Sequence, residues 1–174
     1  MAKKEDKRAN RVRKLFNAIN DSRRQDWEVI NQEGHDFYLD NQISEEDVEA
    51  LREQGMPTFT VNRIIPVVEM LNYYATSNTP RWQAVGTEAS DSDVAAVFSD
   101  VADYIWNQSE CQTLYSNVIN DAITKSLGFL QVCVDPNMDN GMGEVVIQQP
   151  DPFDVYIDPK SRDPLFRDAS HIII

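Results

Sequence analysis

Six acidic residues in the last third of the sequence form its richest candidate for a metal site: Asp135, Asp139, Glu144, Asp151, Asp154 and Asp158. Carboxylate oxygens of this kind bind calcium and magnesium. Asp135, Asn137 and Asp139 begin like the loop of an EF-hand, but Asn140 stands where that loop needs glycine and Val146 where it needs glutamate. The spacing therefore favours a solvated hairpin turn, and we predict neither a metal nor a cofactor.

Side chains suited to covalent or acid–base catalysis are sparse. The histidines, His35 and His171, lie outside any recognisable arrangement with a nucleophilic serine or cysteine. Cys111 and Cys133 form no Cys-x-x-Cys pair, so the sequence encodes neither a disulfide framework nor a zinc site, and a reducing cytosol is the expected place of synthesis. None of the six glycines belongs to a phosphate-binding loop. We therefore predict that the chain is not an enzyme.

Positive charge is concentrated at the start of the chain. Residues 1–24 carry nine Lys and Arg against three Asp and Glu, whereas residues 25–174 carry seven against 26. The acidic remainder argues against nucleic-acid binding over the whole surface, because phosphates are neutralised by clustered cations. The basic segment could instead contact a polyanion or an acidic neighbouring subunit, or simply be solvated. The candidate contact residues are Lys3, Lys4, Lys7, Arg8, Arg11, Arg13 and Lys14.

Composition excludes several further classes. The 174 residues are 41% hydrophobic and 26% charged, which is typical of a folded globular protein. No window approaches the roughly 20 apolar residues of a membrane-spanning helix, and no apolar stretch follows the basic start to make an export signal. Neither a membrane span nor a signal peptide is predicted.

The basic side chains are expected to lie on a helix. Apolar residues recur at helical spacing from about residue 5 to residue 32, which predicts one long amphipathic helix that Gly34 can end. Ser44, followed by three acids, predicts the cap of a short helix that closes near residue 55. Asn62 is the expected cap of a third helix, which is apolar on most of its circumference and therefore predicted to be buried. Pro80 follows its end.

Two further helices are predicted after Pro80. The first opens near Asp91, and the second runs from Cys111 to about residue 126 and ends at Gly128. The first carries an apolar stripe of Val94, Val97, Phe98, Val101, Tyr104 and Ile105. Val97, Phe98, Val101 and Ile105 share one face of it and are predicted to lie in the core or in a subunit interface.

Strand-like runs complete the pattern. Residues 81–85 alternate enough to predict a strand, and residues 129–134 and 144–148 flank an Asn140-Gly141 pair that suits a tight hairpin turn. Residues 153–157 and 170–174 predict two more strands. The expected fold class is therefore α+β, with N-terminal helices followed by a small mixed or antiparallel β region. Because the last run ends in three isoleucines without a partner strand, we expect the chain to be the front part of a longer protein.

Three segments, in this order, resemble the N-terminal part of portal proteins of tailed bacteriophages, in particular those of short-tailed phages. Residues 36–43 place an aromatic stretch and a glutamine after a charged helix. Residues 55–64 run from a proline through extended residues to an asparagine and a helix, and residues 78–82 contain the second proline. An Asp-Pro-x-Ser stretch at residues 158–161 then leads to an Asp-Ala pair at residues 168–169.

This resemblance implies a structural protein of the virion, made in the host cytoplasm. The full-length protein would form a homo-oligomeric ring, commonly a dodecamer, at one capsid vertex, where DNA passes during genome packaging and ejection. Capsid protein, the packaging terminase and a tail adaptor would be its partners, and no membrane is involved. Residues 1–33 would be a basic amphipathic helix, and residues 34–174 a helix-rich, wing-like region ending in an incomplete β region of a larger portal fold. The motif residues expected to be structural are Asn62, Pro80, Asp158, Pro159 and Asp168.

Two other classes of protein stay open at this point. A free-standing acidic phage protein could bind a basic partner in the manner of a DNA mimic. A metal-dependent hydrolase could use the acidic hairpin region, but it would need a histidine or a second acidic motif that the sequence does not supply. A gene that continues beyond Ile174 would favour the portal protein.

Overall fold

The computed structural model describes the backbone of residues 2–88 and 91–174, and the side chains from Lys7 onward within these ranges. Here, helices come first and two small antiparallel sheets follow, which confirms the predicted α+β fold class. The described chain divides into two compact units. The first joins the residues up to Asn62 with Asp151–Ile174, and the second is Arg63–Pro150. The division expected at residue 33 stays a prediction about the domains of the whole protein.

Two helices, not one, begin the first unit. Helix α1 spans Ala2–Ile19 and helix α2 spans Ser22–Tyr38, so the single helix predicted for this stretch is wrong. Asp21 interrupts it, because its backbone is extended and its side chain accepts a hydrogen bond from the Arg24 amide at 3.1 Å, capping α2. Gly34 lies inside α2 and does not end it, since a helix interior tolerates one glycine at a cost of about 1 kcal/mol.

Helix α3 spans Glu45–Glu53 and begins as predicted, because the Ser44 hydroxyl accepts a hydrogen bond from the Asp47 amide at 3.1 Å. Asn62, the expected cap of the following helix, lies one position before the N-cap residue, which is Arg63. The Asn62 amide nitrogen donates to the carbonyl oxygens of Phe37 at 3.2 Å and Tyr38 at 3.0 Å. Asn62 therefore ties its segment to the C-terminal end of α2, where helix carbonyls lack partners within the helix.

A short strand pair completes the first unit. Tyr156–Ile157 pairs in antiparallel fashion with Ile172–Ile173, and these strands are named β3 and β4 because two others precede them in the chain. The expectation that the final isoleucines have no partner strand inside this stretch is therefore wrong; two-residue strands are too short for their pairing to show in the periodicity. Val155, 2% exposed, lies just before β3. Phe16 of α1 packs edge-on against Tyr156, with ring centroids 4.7 Å apart.

The second unit is built on helix α4, Ile64–Thr76, and helix α6, Cys111–Thr124, which pack against each other. Val68 and Asn72 are buried on α4, and the Asn72 amide nitrogen donates to the Ser116 hydroxyl of α6 at 3.2 Å. Most other apolar side chains of α4 are exposed, so the prediction of a helix buried on most of its circumference is wrong. Gly128 follows α6 as predicted, at a point where an added Cβ would lie 2.3 Å from the Val118 carbonyl oxygen.

A β-hairpin follows α6. Strand β1, Gln131–Asp135, pairs in antiparallel register with strand β2, Glu144–Gln148, which confirms the predicted hairpin. The predicted tight turn is wrong, because residues 136–143 connect the strands. Asn140 and Gly141 have the positive φ angles expected of them, 54° and 89°, but the Asp135 carboxylate accepts the Asn137 amide at 2.9 Å and starts a separate turn inside a wider loop.

Helix α5, Ser92–Gln108, turns its small side chains inward. Ala95, Ser99 and Ala102 are half-buried, and they let the helix approach α6 and β2 closely. Of the predicted apolar stripe, only Ile105 is half-buried, whereas Phe98 is 63% exposed. The stripe, predicted to belong to the core or to a subunit interface, therefore lies largely outside the core of this chain. Its role in a subunit interface stays a prediction.

Residues 81–85 form no strand. The Ala84 amide donates instead to the Ser99 hydroxyl of α5 at 3.0 Å, so a side chain and not a second strand holds this segment. Across the described ranges, no helix combines the length and apolar character needed to cross a lipid bilayer.

Candidate functional site

The loop between β3 and β4 contains the Asp-Pro-x-Ser stretch and is organised around Asp158, which is 7% exposed. The Asp158 carboxylate accepts hydrogen bonds from the amides of Lys160 at 3.0 Å and Ser170 at 3.3 Å, and from the Ser170 hydroxyl. The Asp158 amide donates to the His171 carbonyl oxygen at 3.2 Å. One aspartate therefore joins the two ends of the loop. Pro159, the residue after Asp158, has its own φ angle fixed by its ring.

Asp168 organises the middle of the same loop. Its carboxylate accepts hydrogen bonds from the Ser161 hydroxyl and from the amides of Arg162 at 2.8 Å and Asp163 at 3.3 Å. These donors, the Ser161 hydroxyl first among them, hold the pKa of Asp168 below its ordinary value. The serine of the Asp-Pro-x-Ser stretch and the aspartate of the Asp-Ala pair are thus direct partners, which gives the two motifs one structural role.

The same effect is larger at Asp158. The Ser170 hydroxyl, followed by the Lys160 amide, lowers the pKa of Asp158 from 3.8 to about 2. A carboxylate whose pKa is lower in the folded than in the unfolded state stabilises the fold above its unfolded pKa of 3.8. This stabilisation is lost as the pH falls from 3.8 to about 2.

We expect the backbone amide signals of Lys160 and Ser170 to titrate together in NMR spectra, with a midpoint near pH 2. Both amides donate to the ionised Asp158 carboxylate, so both should respond when it takes up a proton. Asp158→Asn, which keeps the size of the side chain, should abolish this shared titration. A common midpoint near 3.8 would contradict the assigned role of the donors.

Asp158, Ser170 and His171 also have the residue types of a catalytic triad, a grouping that the sequence analysis missed. The Ser170 hydroxyl oxygen lies 2.8 Å from His171 Nδ1, which lies 3.8 Å from the Asp158 carboxylate. In a catalytic triad the imidazole stands between serine and aspartate and takes the serine proton. Here the Ser170 hydroxyl donates its hydrogen bond directly to the Asp158 carboxylate, so it is already engaged in closing the loop.

Arg24 links α2 to the segment before β3. Its guanidinium lies over the rings of Trp27 and Tyr156, 4.4 Å and 4.8 Å from their centroids. It also donates to the carbonyl oxygens of Pro152 at 3.3 Å and Phe153 at 2.8 Å. In the sequence, Arg24 is only one of the nine cations of residues 1–24. No local signal distinguishes it, because the carbonyl partners lie 128 and 129 residues further along the chain.

The predicted polyanion or subunit contacts all lie on α1. The side chains of Lys3 and Lys4 are outside the described residues. Those of Lys7, Arg8, Arg11, Arg13 and Lys14 are exposed. The other end of α1 is anchored, since Ile19 is 3% exposed. The structure thus places these cations on one helix whose basic part lies away from its anchored end.

Pro80 lies in the irregular segment after α4. Its neighbour Thr79 donates a hydrogen bond to the Gln112 side chain of α6 at 2.9 Å, so Pro80 follows a residue fixed against the first turn of α6. A proline also biases the residue before it towards an extended conformation, which keeps α4 from continuing.

The acids of the candidate metal site have other partners. Asp135 accepts from the Asn137 amide, Glu144 accepts from the Tyr104 hydroxyl at 2.7 Å, and Asp158 closes its own loop. Among the residues that the structure describes, no three His, Cys, Asp or Glu side chains are grouped to hold a metal ion. The absence of a metal stays a prediction.

We therefore expect calorimetric titration with calcium, magnesium or zinc to show no stoichiometric binding. The physical reason is that Asp135, the first acid of the EF-hand-like stretch, instead accepts hydrogen bonds from Asn137, and Glu144 accepts one from the Tyr104 hydroxyl. A single micromolar site that disappears in Asp139→Ala would overturn this prediction.

Comparison with known proteins supplies the family. Phage P22-like portal proteins match residues 13–174 of the chain, while no curated protein matches it in sequence. The matched range contains all three segments whose resemblance to portal proteins the sequence analysis noted, including the Ser161–Asp168 contact. Because the match covers nearly the whole chain, the chain belongs to the phage P22-like portal protein family.

Proposed function

We propose that the chain is part of a structural subunit of the virion that assembles into a homo-oligomeric ring at one capsid vertex, through which DNA is packaged and later ejected. The family match over residues 13–174 is the observation that carries this proposal. Such a conduit needs no catalytic centre, and the Asp158 cluster is occupied in closing a loop. Capsid protein, the packaging terminase and a tail adaptor are the proposed partners of the full-length protein.

The charge of the chain is consistent with a conduit. The second unit, Arg63–Pro150, carries three Lys and Arg against 11 Asp and Glu. One of its cations, Lys125, is paired with Asp121 at 3.1 Å. DNA that must slide past a wall is retained by clustered cations, so an acidic wall keeps it mobile.

The exposed stripe of α5 supports assembly into a ring. Apolar side chains that line one face of an exposed helix mark an interaction surface. Subunits of a closed ring contact one another through two different surfaces, since each subunit has a neighbour on either side. We place the α5 stripe in such a contact.

A conditional null allele of the gene in its own phage tests the proposal. Under restrictive conditions we expect capsids without packaged DNA, and DNA-filled capsids when the wild-type gene is supplied from a plasmid. Mass spectrometry should find the protein in complete virions. DNA-filled, infectious particles that lack the protein would contradict the proposed role. A free-standing DNA mimic would also be absent from virions.

A further inference from the structure

The first unit has an open cleft of opposite charge to α1, which we call the α2 cleft. It lies along α2 and the segment leading into α3, and its volume is about 1030 Å³. Among the side chains that the structure describes, its lining combines carboxylates with apolar groups and contains no Lys or Arg. The carboxylates are those of Glu33, Asp36, Glu45 and Glu28, the last of which already pairs with Arg24 at 2.8 Å, and the apolar side chains include Val29, Phe37 and Phe153.

Helix α1 of the same chain has the complementary surface. Between Lys7 and Asn20 the sequence contains five Lys and Arg and no Asp or Glu. These cations are exposed, as is the apolar Val12 between them. Because α1 is continuous from Ala2 to Ile19 and fixed at Phe16 and Ile19, its basic half cannot turn back on its own unit without breaking the helix.

We infer that the basic half of α1 from one subunit lies in the α2 cleft of the next subunit. The inference rests on the proposed ring and names one of its contacts. The cleft carries the charge opposite to that of α1, which favours it as the binding site for these cations. Its apolar side chains favour it further, because they add a surface that α1 can cover. Isolated surface ion pairs contribute little, whereas Val12 and the aliphatic stems of Lys and Arg can cover the exposed Val29 and Phe37.

This contact has the geometry that a ring requires. Helix α1 and the α2 cleft are different surfaces of one unit, so a contact between them runs head to tail from each subunit to the next. A head-to-tail contact repeats around an axis and closes into a ring if the rotation allows it. The α3 acids beyond Glu45 are a second acidic surface for the same cations. Val48 and Leu51 of α3 are half-buried, however, so this helix offers less apolar surface to α1 than the cleft does.

Zero-length carbodiimide cross-linking of full-length rings tests the contact, because it joins lysine amines to carboxylates that touch. Rings are assembled from equal amounts of ordinary and nitrogen-15-labelled subunits, so that mass spectrometry separates links between chains from links within one. We expect Lys7 or Lys14 joined to Glu33, Asp36 or Glu45 in mixed-isotope pairs. Raising the ionic strength before cross-linking should reduce these links.

Charge reversal with complementation is the second arm. One variant carries Arg8→Glu, Arg11→Glu and Lys14→Glu, and the other carries Glu33→Lys, Asp36→Lys and Glu45→Lys. Each variant alone should lose its interchain association through this contact, and a mixture of the two should regain it. Asp26→Lys, Glu49→Lys and Glu53→Lys together are the matched control, since they reverse three exposed acids outside the cleft and should assemble like wild type.

The outcomes separate this inference from the ring itself. Wild-type rings whose α1 lysines cross-link only to the α3 acids outside the cleft, Glu46, Asp47, Glu49 and Glu53, or only within one chain, overturn the inference and leave the ring standing. The inference also fails if the cleft reversal has no effect while the α1 reversal flattens the salt dependence of DNA retention, because α1 is then a DNA contact. A wild-type protein that forms no ring contradicts the proposed function and this contact with it.

Discussion

Arg24→Met should lower the free energy of unfolding of the first unit by about 3 kcal/mol, the sum expected for lost charged hydrogen bonds and ring contacts. The guanidinium is enclosed by two rings and two carbonyl oxygens, and the Arg24 side chain is only 11% exposed. Removing it leaves the carbonyls of Pro152 and Phe153 without this donor. Arg24→Lys should recover only part of the loss, since an ammonium group cannot stack on the rings as a planar guanidinium does. Urea denaturation gives the measurement.

Arg23→Ala is the matched control. The neighbouring arginine is 66% exposed and pairs only locally with Asp21, at 3.1 Å. Its removal should cost less than about 1 kcal/mol, the usual range for an exposed ion pair. Equal losses in the two variants would mean that Arg24 does not join α2 to the segment before β3.

Phe98→Asp should abolish or strongly weaken ring assembly while leaving the fold of the chain intact. A buried Phe98 would cost about 3 to 5 kcal/mol on truncation, but an exposed side chain costs within about 0.5 kcal/mol. Its 63% exposure selects the second case for the isolated chain. A charge in the middle of an apolar contact between subunits is then the main effect. Sedimentation velocity reports assembly, and the denaturation midpoint reports the fold.

Asn107→Asp provides the comparison for this variant. It adds the same charge to an exposed position of α5, nine residues away and so about 180° around the helix from Phe98. We expect it to assemble like wild type. Normal assembly of Phe98→Asp would remove the α5 stripe from the subunit interface.

Local chemistry made several elements predictable from the sequence. Ser44 followed by acids is a signal contained within four residues, and the structure has the hydrogen bond that it implies. The hairpin of β1 and β2 is predictable because both strands are long enough to show the alternation of a strand in the sequence. The turn between these strands is not predictable in this way, since the Asp135 side chain starts a competing turn inside the loop.

Features that depend on distant partners could not be predicted in this way. Helical periodicity shows that α5 has an apolar stripe, but it does not show which face of α5 packs against α6 and β2. The face that does so carries Ala95, Ser99 and Ala102, because small side chains allow close packing. Asp21, by contrast, caps α2 through a local bond to Arg24, and it lies in the gap in the apolar spacing between Ile19 and Trp27 that the single predicted helix spanned.

The loop between β3 and β4 lies between these cases. The resemblance to portal proteins singled out Asp158 and Asp168, but only as motif residues expected to be structural. Their roles depend on Ser170 and Ser161, 12 and seven residues away, and on the pairing of β3 with β4. The spacing of apolar residues carries no information about a side chain that closes a loop by accepting several hydrogen bonds.

Electron microscopy of the full-length gene product, purified without cross-linking, tests the central claim most directly. We expect closed rings around an axial channel wide enough for duplex DNA, with the fold of residues 13–174 present once in every subunit. A folded protein that stays monomeric at all concentrations and is indifferent to DNA would contradict its assignment to a portal ring.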